Sequence, residues 1–170
     1  PGDESTKQGS STAGYQRAAE EKQPYSGEQI SAYVGGIYER KYELDSMMHP
    51  LDLATKYWEA SGGDKLPFGP KWLAAVDLIL STMVDQQSSS EEDQARPTGP
   101  AYNFKRSGDT VTDSLFKGLG WPAKRTGMVK SAFRASDDAQ KFPFNIAENA
   151  FAVVVMRQLA PMLVTLGQST

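Results

Sequence analysis

The hydrophobic positions fall mostly at helical spacing, and they begin only after a polar opening. Residues 1 to 24 contain almost no large apolar side chain and are rich in Gly, Ser and Thr. Such a stretch buries too little to offset its ordering entropy and reads as an extended N-terminal arm. Ser26-Gly27-Glu28-Gln29 then has capping-box spacing. Ile30, Tyr33, Val34, Ile37, Tyr38 and Tyr42 follow at intervals of three and four, which predicts a first helix. Pro50 suits the first turn of a second helix, carrying Leu51, Leu53, Ala54, Tyr57 and Trp58 and stopped by Gly62-Gly63. Pro70 opens a third, from Trp72 to Val84.

Residues 85–100, DQQSSSEEDQARPTGP, read as an acidic loop. Ser88, Ser89 and Ser90 each precede an acid by three residues, an acidophilic phosphorylation context. Ala101 to Arg106 permits a short extended piece, Thr110 to Leu119 a short helix, and Pro122 to Ser136 another. Asn145, with Glu148 three residues on, caps the last helix. From Ile146 to Leu166 the only charges are Glu148 and Arg157, and apolar residues fall all round the wheel. Such a helix is buried or spans a membrane. Arg157, Gln158 and Pro161 in mid-segment argue against a span. The expected architecture is all-α: about six helices packed around an apolar C-terminal helix, with the arm at 1–24 and a single helical domain at 25–170.

Composition changes the picture in two ways. The chain of 170 residues has no cysteine, which excludes disulfides and thiolate chemistry. The net charge of -3 conceals a split: residues 1–93 hold 8 basic and 16 acidic groups, and residues 94–170 hold 10 basic and 5 acidic. A dipolar surface of this kind suits self-association or an anionic partner.

Catalytic chemistry is sparse in the sequence. His49 is the only histidine, and Asp45, His49 and Asp52 form no strong metal signature. Gly118, Gly120, Lys124 and Thr126 miss phosphate-loop spacing. Asp137-Asp138 read as the polar exit of the helix before them. No cofactor and no metal are assigned.

The basic residues carry more weight. With Pro122 at a helix start, Lys124 and Arg125 oppose the helix dipole, and the exposed amides there favour an anion. Lys130 and Arg134 continue a basic rail opposite Met128, Val129, Ala132 and Phe133. Upstream, Tyr102 and Phe104 interleave with Lys105 and Arg106, a pattern suited to stacking on bases while cations track phosphates. The resulting expectation is a non-enzymatic, self-assembling coat or nucleocapsid-like subunit binding single-stranded RNA or DNA. Its contacts would be Lys105, Arg106, Lys124, Arg125, Lys130 and Arg134, with Tyr102 and Phe104 stacking. A homo-oligomer is expected and a membrane partner is not. The alternative is a structural or adaptor subunit docking through the C-terminal helix and the arm.

Overall fold

The computed structural model describes residues 43–97 and 121–167. The first helix expected from Ser26, the helix at Thr110 to Leu119, and Tyr102, Phe104, Lys105 and Arg106 lie outside the described residues. Within them the regular elements are helices: α1 (Leu44–Ala60), α2 (Pro70–Asp85), α3 (Ser90–Ala95) and α4 (Ile146–Gly167). Among the described residues no strand forms: Phe133 and Ala139 make an isolated antiparallel bridge, and Glu43 is a further bridge residue. The all-α expectation holds at this level.

The chain divides into two compact units. One comprises Glu43–Ser88, Arg125–Ser131 and Phe144–Thr170, and so contains α1, α2 and α4. The other holds, of the described residues, 89–97, 121–124 and 132–143, and so contains α3.

The first unit is built on a seam between α1 and α4. Leu44, Met48, Leu51 and Thr55 are buried on α1 at steps of four, three and four. On α4 the buried set is Glu148, Ala152, Val155, Leu159, Met162 and Leu166, again alternating four and three. A 3.5-residue repeat on both helices is the pattern that lets side chains of one seat between those of the other. Val155 is 0% and Leu159 1% exposed. Val153, Val154 and Val164 on the other side of α4 are more than half exposed. The expectation that α4 is enclosed on every side is therefore corrected: it has one buried stripe. By length and composition alone α4 could cross a membrane.

α1 begins six residues before Pro50. Glu43 is extended, and the Leu44 amide donates to Ser131 Oγ (3.2 Å), so a residue 87 positions away satisfies one of the helix's orphan donors. Pro50 lies inside the helix on an exposed position. The carbonyl it cannot bond belongs to exposed Ser46, so the cost is a solvated oxygen, not a buried one. Gly62 and Gly63 end the helix with φ of 69° and 91°. A Cβ on Gly63 would meet the Trp58 indole at ordinary contact distance, so its backbone conformation, not space, favours glycine there.

Phe68 seals the α1–α2 corner, with its ring edge-on to Tyr57, Trp58 and Trp72 at 6.1, 6.0 and 4.8 Å. The Tyr57 hydroxyl donates to Asp64 Oδ2 (2.7 Å), and Asp64 Oδ1 accepts from the Leu66 amide (3.0 Å). Bonding to Asp64 raises the Tyr57 phenol above its usual range; the Leu66 amide, then Tyr57, hold Asp64 below the usual carboxylate range. The lowered carboxylate stabilises the fold above its ordinary range, and that contribution is lost as pH falls through its folded value. The raised phenol stabilises below its ordinary range, and that contribution is lost as pH rises through its folded value. Tyr57→Phe is expected to flatten both limbs of the stability–pH curve, read by thermal melts across pH. Unchanged limbs would show that the bond does not persist in solution.

The stretch read as an acidic loop contains α3. Ser89 Oγ accepts from the Glu92 amide, and Glu92 accepts from the Ser89 amide, a complete capping box. Ser88 Oγ donates to Asp85 O, and Ser90 Oγ accepts from the Ala123 amide. At Ser89 the Ser-x-x-acid spacing is thus a helix start.

Candidate active site

The helix expected from Pro122 to Ser136 is absent. Gly127 has φ 84°, a left-handed conformation that no helix interior accommodates. The flanking backbone groups find partners elsewhere. The Lys130 amide donates to Gln86 O (2.9 Å). The Val129 amide donates to Asn149 Oδ1 (2.8 Å), and Asn149 Nδ2 returns a bond to Val129 O (3.0 Å). With its peptide groups bonded to distant residues, the segment has no need of an i to i−4 ladder.

This removes the basis of the basic rail. Lys124 and Arg125 are exposed but at no helix start. Lys130 is 8% exposed, with Nζ 3.4 Å from buried Ser88 Oγ. Arg134 pairs with Asp138 at 3.1 Å. The apolar seat fares better: Val129, Ala132 and Phe133 are all buried.

What the second unit does present is a tight turn at residues 133–140. The bridge between Phe133 and Ala139 closes its neck. The Gln140 amide donates to Ala132 O (2.9 Å), and Gln140 Nε2 to Phe133 O (3.1 Å). Across the tip, the Asp137 amide donates to Arg134 O (2.8 Å) and the Arg134 amide to Asp138 O (3.1 Å). Asp138 Oδ2 accepts from Ser136 Oγ (2.9 Å) and Arg134 Nη2 (3.1 Å). Ser136, then Arg134, hold the Asp138 carboxyl below the usual carboxylate range. Asp137 is exposed and has φ 73°, unique among the described non-glycine residues. Aspartate enters this left-handed region more readily than most L-residues, chiefly in turns such as this one. Ser, Asp and Asp in succession are turn formers, a signal that the helical reading of 122–136 masked.

In the first unit, Asp45, His49 and Asp52 share a face of α1 but are committed separately. His49 Nε2 lies 3.7 Å from Asp45 Oδ2 and its ring meets Phe151, whereas Asp52 pairs with Lys56 at 2.5 Å. Among the described residues no group of three or more His, Asp or Glu side chains is placed to hold a metal ion. Buried Glu148 begins α4 as expected: its amide donates to Asn145 Oδ1 (3.3 Å), and its Oε1 accepts from Asn145 Nδ2 (2.7 Å).

Comparison with known proteins gives this geometry its context. Residues 6–169 match the family model described as metal-independent alpha-mannosidase (GH125). The meiotically up-regulated gene 157 protein of Schizosaccharomyces pombe is 38% identical over 136 residues, 78% of this chain and 26% of its own length. A Streptococcus pneumoniae protein, described among metal-independent alpha mannosidases and solved as a non-productive complex with alpha-1,6-mannobiose, superposes with a TM-score of 0.67. It is 36% identical over 77% of this chain and 29% of that one. The chain thus spans between a quarter and a third of the length of the relatives it matches.

These matches overturn the reading as a non-enzymatic coat or nucleocapsid subunit, and the adaptor alternative with it. The physical error lay in taking scattered cations for a helical rail and a carboxylate turn for a helix exit. The match across nearly the whole sequence shows that the chain belongs to the metal-independent alpha-mannosidase family, GH125.

Proposed function

We propose that this chain forms part of the catalytic centre of an α-mannosidase that hydrolyses α-1,6-linked mannose without a metal ion. The observation that carries the reading is an exposed carboxyl, Asp137, held left-handed in a family that cleaves glycosides. Glycoside hydrolysis uses two carboxyl groups: one protonates the departing oxygen, and the other activates water or attacks the sugar. Asp138 is gripped as an anion by Ser136 and Arg134, which suits it poorly to deliver a proton. We assign that role to Asp137, the exposed carboxyl at the tip of the turn. Protonating the glycosidic oxygen as the bond to the anomeric carbon breaks lets the leaving sugar depart as a neutral alcohol.

The test exchanges the matched segment of the Streptococcus pneumoniae enzyme for this chain. Release of mannose from alpha-1,6-mannobiose is then measured in the presence of a chelator. Turnover insensitive to the chelator supports the reading. A chimera that is monodisperse and helical yet has no turnover would overturn it.

A further inference from the structure

We propose that Asp138 is a positioning residue: its carboxylate, clamped by Arg134 and Ser136, fixes the turn that keeps the Asp137 backbone left-handed. The proposal rests on the reading of Asp137 as the proton-transferring carboxyl. Two independent sets of bonds converge on residue 138. Its carbonyl accepts from the Arg134 amide at 3.1 Å, and its Oδ2 accepts from the Arg134 guanidinium at 3.1 Å and the Ser136 hydroxyl at 2.9 Å. Arg134 is thereby held through main chain and side chain at once. Its own carbonyl in turn takes the Asp137 amide at 2.8 Å. Residue 137 is thus enclosed in a loop tied at 134 and 138, and the neck below is closed by Gln140 on Ala132 and Phe133.

An L-residue reverts to right-handed or extended backbone unless its surroundings over-determine it. Within this turn the charged clamp contributes to that, beside the Gln140 side chain at the neck. Hydrogen bonds with one ionised partner are the stronger kind, and this carboxylate accepts two. The Asp138 carboxyl lies below the usual range, from Ser136 first and then Arg134, so the clamp stays charged through the neutral range. Reversion would swing the Asp137 carboxyl away from the direction the turn now gives it. Misplacement of a catalytic group by about 1 Å costs on the order of a hundredfold in rate.

The test has two arms. In the full 170-residue chain, NMR reads the intraresidue amide-to-Hα contact of Asp137, which is short only for positive φ. The wild-type chain is expected to show it. Asp138→Ala and Arg134→Gln are each expected to lose it, and Asp138→Asn to regain part of it. A contact that survives both losses of the clamp would overturn the proposal.

In the chimera described above, Asp138→Ala is expected to lower kcat by about a hundredfold with little change in KM. The loss is expected for α-1,6-mannobiose and should be largely recovered on an aryl mannoside with a good leaving group, because Asp138 acts through delivery of the Asp137 proton. An equal loss on the aryl substrate would show that Asp138 acts other than through the Asp137 proton and would end the positioning role. A wild-type chimera without turnover counts against the proposed activity, while the NMR arm still decides what Asp138 does to the turn.

Discussion

In the chimera, and on the proposed role of Asp137, Asp137→Asn is expected to lower kcat for alpha-1,6-mannobiose by about a hundred- to ten-thousandfold, the range that a positioned general acid contributes. The substitution isolates chemistry from shape. Asparagine tolerates left-handed backbone about as well as aspartate, so the turn with φ near 73° should persist. What disappears is the proton. The loss should therefore depend on the substrate. An aryl mannoside whose leaving group departs without protonation should recover most of its rate, whereas mannobiose should not. Steady-state kinetics on the two substrates check this. A kcat for mannobiose within about tenfold of wild type would remove Asp137 from the reaction.

Leu159→Ala is expected to destabilise the α1–α4 unit by about 2–5 kcal/mol. Leu159 is 1% exposed at the centre of the four-three repeat and belongs to one core with Met48, Leu51, Val155 and Met162. Truncation removes its transfer energy and leaves a hole that two helices locked side by side cannot easily close. Urea unfolding followed by helical circular dichroism measures the change, with the slope expected to hold while the midpoint falls. Val164→Ala provides the contrast. That side chain is 59% exposed, and its loss should stay within about 0.5 kcal/mol. Equal effects at the two positions would mean that the seam is not what holds the unit.

The ends of elements were legible in the sequence where the stop or start signal is local. Asn145 with Glu148, Pro70, and Gly62-Gly63 each mark a boundary that the structure keeps. Boundaries set by distant partners were not. α1 starts at Leu44 because Ser131 meets its first amide, and nothing near Leu44 announces that bond. Residues 122–136 had an amphipathic pattern without the helix, because Asn149 and Gln86 take the peptide groups that a ladder would use. The burial of Val129 and Phe133 could be read correctly while their backbone could not, since side-chain periodicity reports which residues go inside more reliably than how they are strung. The candidate site suffered most from this. Once 122–136 is drawn as a helix, Asp137 and Asp138 become its frayed end, and the turn that distinguishes them vanishes from view.

The left-handed residue at 137 also constrains inheritance at that codon. Glycine or asparagine would preserve the bend and forfeit the acid. Glutamate would preserve the acid but strain the bend and reach one carbon further. Under the proposed role no single replacement satisfies both demands, so descendants that keep catalysis should keep aspartate there. Lineages that have abandoned catalysis should drift first toward the amide or glycine, a signature by which silent copies of such a gene could be told from working ones.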